Sequence, residues 1–242
     1  ARDDDPVFAV REAARRLLGE KPEVPADAPT FAGIPIVSKR VIVMLDVSWG
    51  TVKPLDVELM KTKTWREWRS VADKNRDWVS QAEWMKAETL GLVAELPEDA
   101  KFNILLLNEE RVLPMSPKGM VPTGKRGGRM ADAFVEEILS GGFTSQVQGF
   151  WEACRLAGSA PYGTGPPEEP AADTFILVSS GVPRGGPLLY GPAVVDEFRR
   201  AHRFHRIRVH TVRVDDAAEP AEEVMKGIAE ATGGTYVHQQ KP

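Results

Sequence analysis

Cysteine is all but missing from this chain: Cys154 is the only one in 242 residues. That excludes an intrachain disulfide framework and any cysteine-rich zinc site. A lone thiol among apolar neighbours reads as a small buried hydrophobe. An excess of either charge is missing too, since 31 Lys and Arg face 35 Asp and Glu for a net charge of −4. No electrostatic footprint for nucleic acid or an anionic membrane is present. Long apolar runs are also absent. Ile104 to Leu107 and Phe175 to Val178 are strand-length, far short of the roughly 20 residues that span a bilayer. Histidine is scarce. His202 and His205 lie three apart at a predicted helix end with no third ligand in view, so they read as a solvated terminus. His210 and His238 show no partner in the sequence.

Two enzyme signatures are incomplete. Neither Ser48 nor Ser179 sits in the Gly-x-Ser-x-Gly elbow of hydrolases. The run Gly119-Met120-Val121-Pro122-Thr123-Gly124-Lys125 follows the phosphate-loop pattern, but Arg126 stands where Mg²⁺ requires a serine or threonine. Pro122 also removes one N–H donor from any phosphate cradle.

With 42% hydrophobic residues the chain can bury one large core, with or without a small appendage. Residues 5–20 carry a helix signal: Asp5 caps, Pro6 suits the first turn, and Val7, Val10, Ala14, Leu17 and Leu18 form one apolar face. A three-proline linker follows over 21–29. From residue 31 onward, strand and helix signals alternate. Strands are expected over 41–47, 102–108, 174–179, 207–214 and 235–238, with a short antiparallel companion over 111–115. Helices are expected over 76–96, 130–139, 147–156, 192–203 and 220–232. The first carries Val79, Ala82, Leu90 and Val93 on one side, and the last is closed by Gly233-Gly234 in a left-handed cap. This order predicts an α/β fold, a doubly wound and mostly parallel sheet between helices. The chain divides into an N-terminal helix and linker, 1–30, and one α/β domain, 31–242.

Two inserts interrupt the alternation. Residues 51–81 hold Trp65, Trp68 and Trp78 among basic side chains, with Trp84 following. Stacked aromatics can bind nucleic acid, but the charge balance disfavours it. Trp78 and Trp84 are expected under the first long helix, with Trp65 and Trp68 partly exposed. Residues 158–172 are rich in proline and glycine and are expected to form a flexible surface loop.

The most informative stretch is Val41-Ile42-Val43-Met44-Leu45-Asp46-Val47-Ser48-Trp49-Gly50. A strand apolar on both faces delivers Asp46 and Ser48 to the sheet edge where open α/β folds bind ligands. With Gly50 in place of a second serine, it resembles the Asp-x-Ser-x-Ser motif of von Willebrand factor type A (VWA) domains. The resemblance continues in order over residues 31–238. Phe31-Ala32-Gly33-Ile34-Pro35-Ile36-Val37-Ser38 is similar to the lead-in of some bacterial VWA proteins that carry helical repeats. Leu96-Pro97-Glu98-Asp99-Ala100-Lys101-Phe102 is similar to the turn into that family's second strand. Gly141-Gly142-Phe143-Thr144-Ser145 resembles the loop that carries the metal-site threonine, at Thr144. In Val178-Ser179-Ser180-Gly181-Val182-Pro183, Ser180 stands where that family has an aspartate. Ala229 to Val237 resembles the closing helix and strand. Residues 4–18 also resemble the closing helix of a HEAT-type repeat.

The resemblance implies a protein-binding module. A complete site of this type offers hydroxyls and carboxylates to Mg²⁺, which takes six oxygens. Here Gly50 brings no hydroxyl and Ser180 no charge. The expectation is therefore no cofactor, with Asp46, Ser48, Gly50, Thr144 and Ser180 marking partner-binding loops around a vestigial site. In it the hydroxyls of Ser48, Thr144 and Ser180 donate to Asp46. The alternative is a metal-dependent adhesion-type domain with weak Mg²⁺ on Asp46, Ser48 and Thr144. A hydrolase or nucleotide-binding enzyme is a further alternative, without its motifs. A protein partner is expected, and no transmembrane segment. A first residue of Ala1 fits removal of an export signal and equally a piece of a longer chain, so compartment stays open.

Overall fold

The computed structural model describes residues 24–47, 54–55, 79–108, 111–136, 146–156, 172–180, 188–205, 207–214 and 219–239. The expected N-terminal helix, Trp65, Trp68 and Trp78, and the loop over 158–172 all lie outside these residues, apart from Ala172.

The chain enters the domain through a tight hairpin. Strands β1 (Thr30–Phe31) and β2 (Ile34–Pro35) pair antiparallel around Ala32 and Gly33, whose φ angles are 51° and 76°. Two consecutive positive φ values define a type I′ turn, whose twist matches the flanking strands. Next come β3 (Arg40–Asp46), β4 (Pro54–Leu55), β5 (Val79–Ser80) and helix α1 (Gln81–Glu95). Then follow β6 (Lys101–Asn108), β7 (Arg111–Pro114), β8 (Val121–Pro122), α2 (Lys125–Glu136) and α3 (Gln146–Leu156). The chain continues with β9 (Thr174–Ser179), α4 (Gly191–His205), β10 (Arg208–Arg213), α5 (Glu219–Thr232) and β11 (Tyr236–His238).

The main sheet runs β11-β10-β9-β3-β6-β7, with β8 also on β6. β11, β10, β9, β3 and β6 are mutually parallel, while β7 and β8 are antiparallel to β6. The doubly wound architecture and the antiparallel companion are as the sequence predicts. Order runs outward from β3 in both directions, so the winding reverses between β3 and β9. That reversal is where parallel sheets leave a crevice at the strands' carboxyl ends.

Side-chain alternation divides the core into two layers. Val41, Val43 and Leu45 of β3 face α1 and α2, meeting Met85, Leu92, Ala131 and Val135. Ile42 and Met44 face α3, α4 and α5, meeting Phe150, Phe198 and Met225. The ring of Phe150 stacks on Phe198 at 4.0 Å and meets Phe175 edge-on at 5.7 Å. Burial on both faces explains why these strands read as unbroken apolar runs.

Two helix starts differ from expectation. Helix α1 does not run through Val79, which pairs with Leu55 in β5. Ser80 starts the helix instead: its hydroxyl accepts from Glu83 N–H at 3.1 Å, and the Glu83 carboxylate accepts from Ser80 N–H at 2.8 Å. This reciprocal capping box outweighs the apolar periodicity upstream. The helix buries Gln81, Trp84, Met85, Ala87, Thr89, Leu92 and Val93, so Ala82 and Leu90 sit at the margin of its buried face. Trp84 packs edge-on against Phe31 at 6.2 Å, buried as expected. Helix α2 begins at Lys125, not Met130, and contains Gly127 and Gly128. A glycine pair reads as a break, yet Gly127 is required by close packing: a Cβ there would lie 2.3 Å from the Pro122 carbonyl oxygen.

The last helix closes as expected. Gly233 has φ 68°, and Gly234 N–H donates to Ala229 O at 2.8 Å, the long bond of a Schellman cap.

Candidate functional site

At the reversal between β3 and β9, three buried side chains from three elements meet. Asp46 ends β3, Ser179 ends β9, and Gln146 begins α3. All three are at most 3% exposed. Ser179 Oγ–H donates to Asp46 Oδ2 at 2.7 Å, and Gln146 Nε2–H donates to Ser179 Oγ at 2.9 Å. The chain of donors is directed toward the carboxylate. Serine has one proton, and Asp46 receives it, so Gln146 must present its amide nitrogen and not its oxygen. The Gln146 carbonyl oxygen is left buried without a hydrogen-bond partner.

The backbone places these groups. Ile42, Met44 and Asp46 alternate toward α3, as do Phe175, Leu177 and Ser179 on β9. Leu45 pairs with Val178, and Asp46 and Ser179 lie one step beyond on the same face. The row continues through the sheet, for Arg213 of β10 is in register with Ser179, and His238 of β11 with Arg213. Arg213 is buried and bonds Glu222 of α5 through Nη1 at 3.2 Å. Lys226 also bonds Glu222, at 2.5 Å, and that bond holds the Glu222 carboxyl below its ordinary range, with Arg213 adding to it. Carboxylate, hydroxyl and guanidinium thus stand in one line across β3, β9 and β10.

Of the residues singled out in the sequence, Asp46 is at the centre. Ser48, Gly50 and Thr144 lie outside the described residues. Ser180 is half-buried beyond the end of β9. Among the described residues, a hydroxyl that meets Asp46 is that of Ser179, one position before the expected Ser180. Gln146 had no sequence signal, because its partner lies on another element. The strand alternation from Phe175 and Leu177 was a usable signal for Ser179.

The same rim carries exposed apolar side chains. Leu189 and Tyr190, on the connection from β9 into α4, are 60% and 71% exposed.

The other motifs resolve into structure. In the phosphate-loop-like run, Thr123 N–H donates to Ala100 O at 3.1 Å, and Asn103 Nδ2 donates to Gly119 O at 2.9 Å. Val121 and Pro122 pair with β6, so this backbone is engaged by its own domain. His210, for which the sequence showed no partner, accepts Thr235 N–H on Nδ1 at 3.1 Å. Burial, with Arg208 adding, pulls its imidazole down to about 4. His202 Nδ1 meets Ile207 O at 2.8 Å. Cys154 is fully buried, and burial pushes its thiol up to about 12. No three His, Cys, Asp or Glu side chains converge among the described residues. No helix among them is long and apolar enough to cross a membrane.

No family model and no curated protein matches the sequence. A solved structure does match in shape: von Willebrand factor type A from Catenulispora acidiphila, with a TM-score of 0.52 over 86% of this chain at 15% identity. The fold is of the VWA type. This chain spans 40% of that protein's length. β3 is the strand of this chain that carries Asp46, the first residue of the resembled motif. The crevice at its end is therefore the place where the fold and the sequence resemblance meet.

Proposed function

We propose that this chain is a non-enzymatic protein-interaction module of VWA type, binding a protein partner at the carboxyl edge of its sheet. The observation that carries this is the exposed pair Leu189 and Tyr190, on the same connection that leaves Ser179. Large apolar side chains beside a polar crevice are what a binding edge presents, and tyrosine is enriched in such contacts. The loops at 46–51, 142–145 and 179–183 would complete the surface.

The pocket acts without a resident metal in this reading. Asp46 already receives the Ser179 proton, and the guanidinium in the row is that of Arg213. Gly50 and Ser180 stand where the resembled motif has a further hydroxyl and a further carboxylate. A donor set with a single carboxylate does not suit a hard divalent ion that wants several charged oxygens. Ser179 is fully buried, which keeps it from a substrate and argues against hydrolysis.

A photo-crosslinking side chain at Tyr190, compared with one at the exposed Leu113 of β7, tests the edge. The expected result is a discrete crosslinked partner at 190 that disappears with Leu189→Ser. Equal labelling at both positions, or none at 190, would overturn it.

A further inference from the structure

We propose that two copies of this chain pair through the groove between α1 and α2, their α2 helices running antiparallel about a two-fold axis at Gly128. The groove has a volume of about 440 Å³. It lies where α1 ends and α2 begins, beside Ala100, whose carbonyl accepts Thr123 N–H just ahead of β6. That is the amino end of the sheet. The carboxyl-edge crevices of both copies therefore stay open, and this inference stands apart from the reading above. One wall of the groove is apolar, formed by Leu90, Ala94 and Leu96 at the end of α1. The facing wall begins as bare backbone. Gly124 and Gly128 sit one turn apart, and a Cβ at either would meet nothing within 4 Å. Gly124 is accounted for by its φ of 93°, and Gly127 by the Pro122 carbonyl. Gly128 is helical with open space beside it, where glycine costs the helix up to about 1 kcal/mol relative to alanine. No contact among the described residues requires that cost. Close approach of a second backbone does.

The charges around the groove point to its occupant. Lys125 and Arg129 of α2 are exposed, and so are Glu98 and Asp132, which line the groove. None of the four has an ion pair among the described residues. Their neighbours do: Asp99 pairs with Lys39 at 2.7 Å, and Glu136 with Lys86 at 3.5 Å. Two cations and two carboxylates make a patch of zero net charge, which a strongly charged partner would meet with repulsion as well as attraction. A second copy matches it, because a two-fold axis sets each off-axis group against a different one. Only a residue on the axis meets itself, and Gly128 is uncharged and has no side chain. With the axis there, residue 132 of one helix comes opposite residue 124 of the other. Lys125 then lies one helical rise, about 1.5 Å along the helix, from Asp132 of the second copy. That pair forms twice. Asp132 also meets the N-terminus of the other α2, where a carboxylate is favoured. Exposed ion pairs contribute little. They fix the register, while the apolar wall and the close backbone contact supply the attraction.

Sedimentation equilibrium of the full chain over a range of concentrations decides the matter. The mass should rise from that of one chain toward that of two and no further, as a closed two-fold contact requires. Gly128→Leu, which puts a side chain on the axis, should weaken the dimer about tenfold or more. Lys125→Glu and Asp132→Lys should each weaken it about fivefold, since each sets like charges together twice. Combining Lys125→Glu with Asp132→Lys restores the two pairs and should return the affinity to within about twofold of the parent. The far-UV spectrum of every variant should match the parent's. A single chain at every concentration, a dimer indifferent to Gly128→Leu, or a double variant no tighter than the single ones would overturn the proposal.

Discussion

Ser179 gives its hydroxyl hydrogen to Asp46 across the boundary between β9 and β3, at 2.7 Å and out of contact with water. The bond links the two strands between which the winding of the sheet reverses. Gln146 holds the serine from behind at 2.9 Å and so connects α3 to both. Three elements are thereby referenced to one carboxylate.

Ser179→Ala removes a donor from a buried carboxylate and leaves Gln146 facing a methyl group. Such a loss costs about 1–3 kcal/mol, and urea denaturation should show it as a lower midpoint with unchanged slope. Ser180→Ala, by contrast, should stay within about 0.5 kcal/mol of the parent. If the two effects are reversed, the pairing at Asp46 is wrong.

Millimolar Mg²⁺ or Mn²⁺ should leave the melting temperature unchanged. Native-state binding at 100 times Kd would add about 2.7 kcal/mol, which a thermal scan detects. A rise that Asp46→Ala abolishes would establish the metal-dependent alternative instead.

His210 should make the protein acid-sensitive. Its imidazole is held neutral in the fold, down to about 4, by burial and by Arg208, while Nδ1 accepts Thr235 N–H. Unfolded, it would take a proton near pH 6.5, so the unfolded state binds more protons between pH 6.5 and 4. Stability is therefore fully present above 6.5 and falls as pH drops to 4, by about 3 kcal/mol for a shift of this size. Glu88, whose carboxyl burial pushes up, works in the opposite sense, so the comparison is between variants. His210→Asn, which keeps an acceptor, should show a shallower loss between pH 6.5 and 4 than the parent.

Adjacent glycines in α2 should respond with opposite signs. Gly127→Ala places a methyl 2.3 Å from Pro122 O and 3.1 Å from the Phe102 ring, and should lower stability by about 1–3 kcal/mol. Gly128→Ala meets nothing within 4 Å, and should raise it by up to about 1 kcal/mol. Thermal melts of the two variants check both.

Cys154, buried with its thiol pushed up to about 12, should resist a disulfide-exchange reagent at pH 8 until the chain unfolds. Its labelling rate should therefore follow global unfolding in urea. Fast labelling of the native protein would contradict the packing around α3.

The architecture was legible because its strands are buried on both faces, and so β3, β6 and β9 each read as an apolar run, while β10 was marked by its β-branched residues. What sequence periodicity could not show was contact between distant elements. Gly127 and Gly128 looked like a break because the Pro122 carbonyl that Gly127 packs against lies on another strand. The capping box at Ser80 and Glu83 was visible in the sequence, but the apolar residues before it suggested an earlier start. At the site, Asp46 was found through its position after an apolar run. Ser180 was chosen over Ser179 by matching a motif, whereas the alternation of β9 favours Ser179. Gln146 depended on the fold itself.

The pairing of β4 with β5 has an evolutionary consequence. Pro54 lies opposite Ser80, and Leu55 opposite Val79, so the two ends of residues 56–78 are held at the spacing of neighbouring strands. Whatever is spliced between them begins and ends at one point, and a doubling of its length costs only about 0.6 kcal/mol in closure entropy. The domain can therefore lengthen, shorten or exchange that excursion without altering its strand order. That position is a point at which the chain can take up an insertion while keeping the same core.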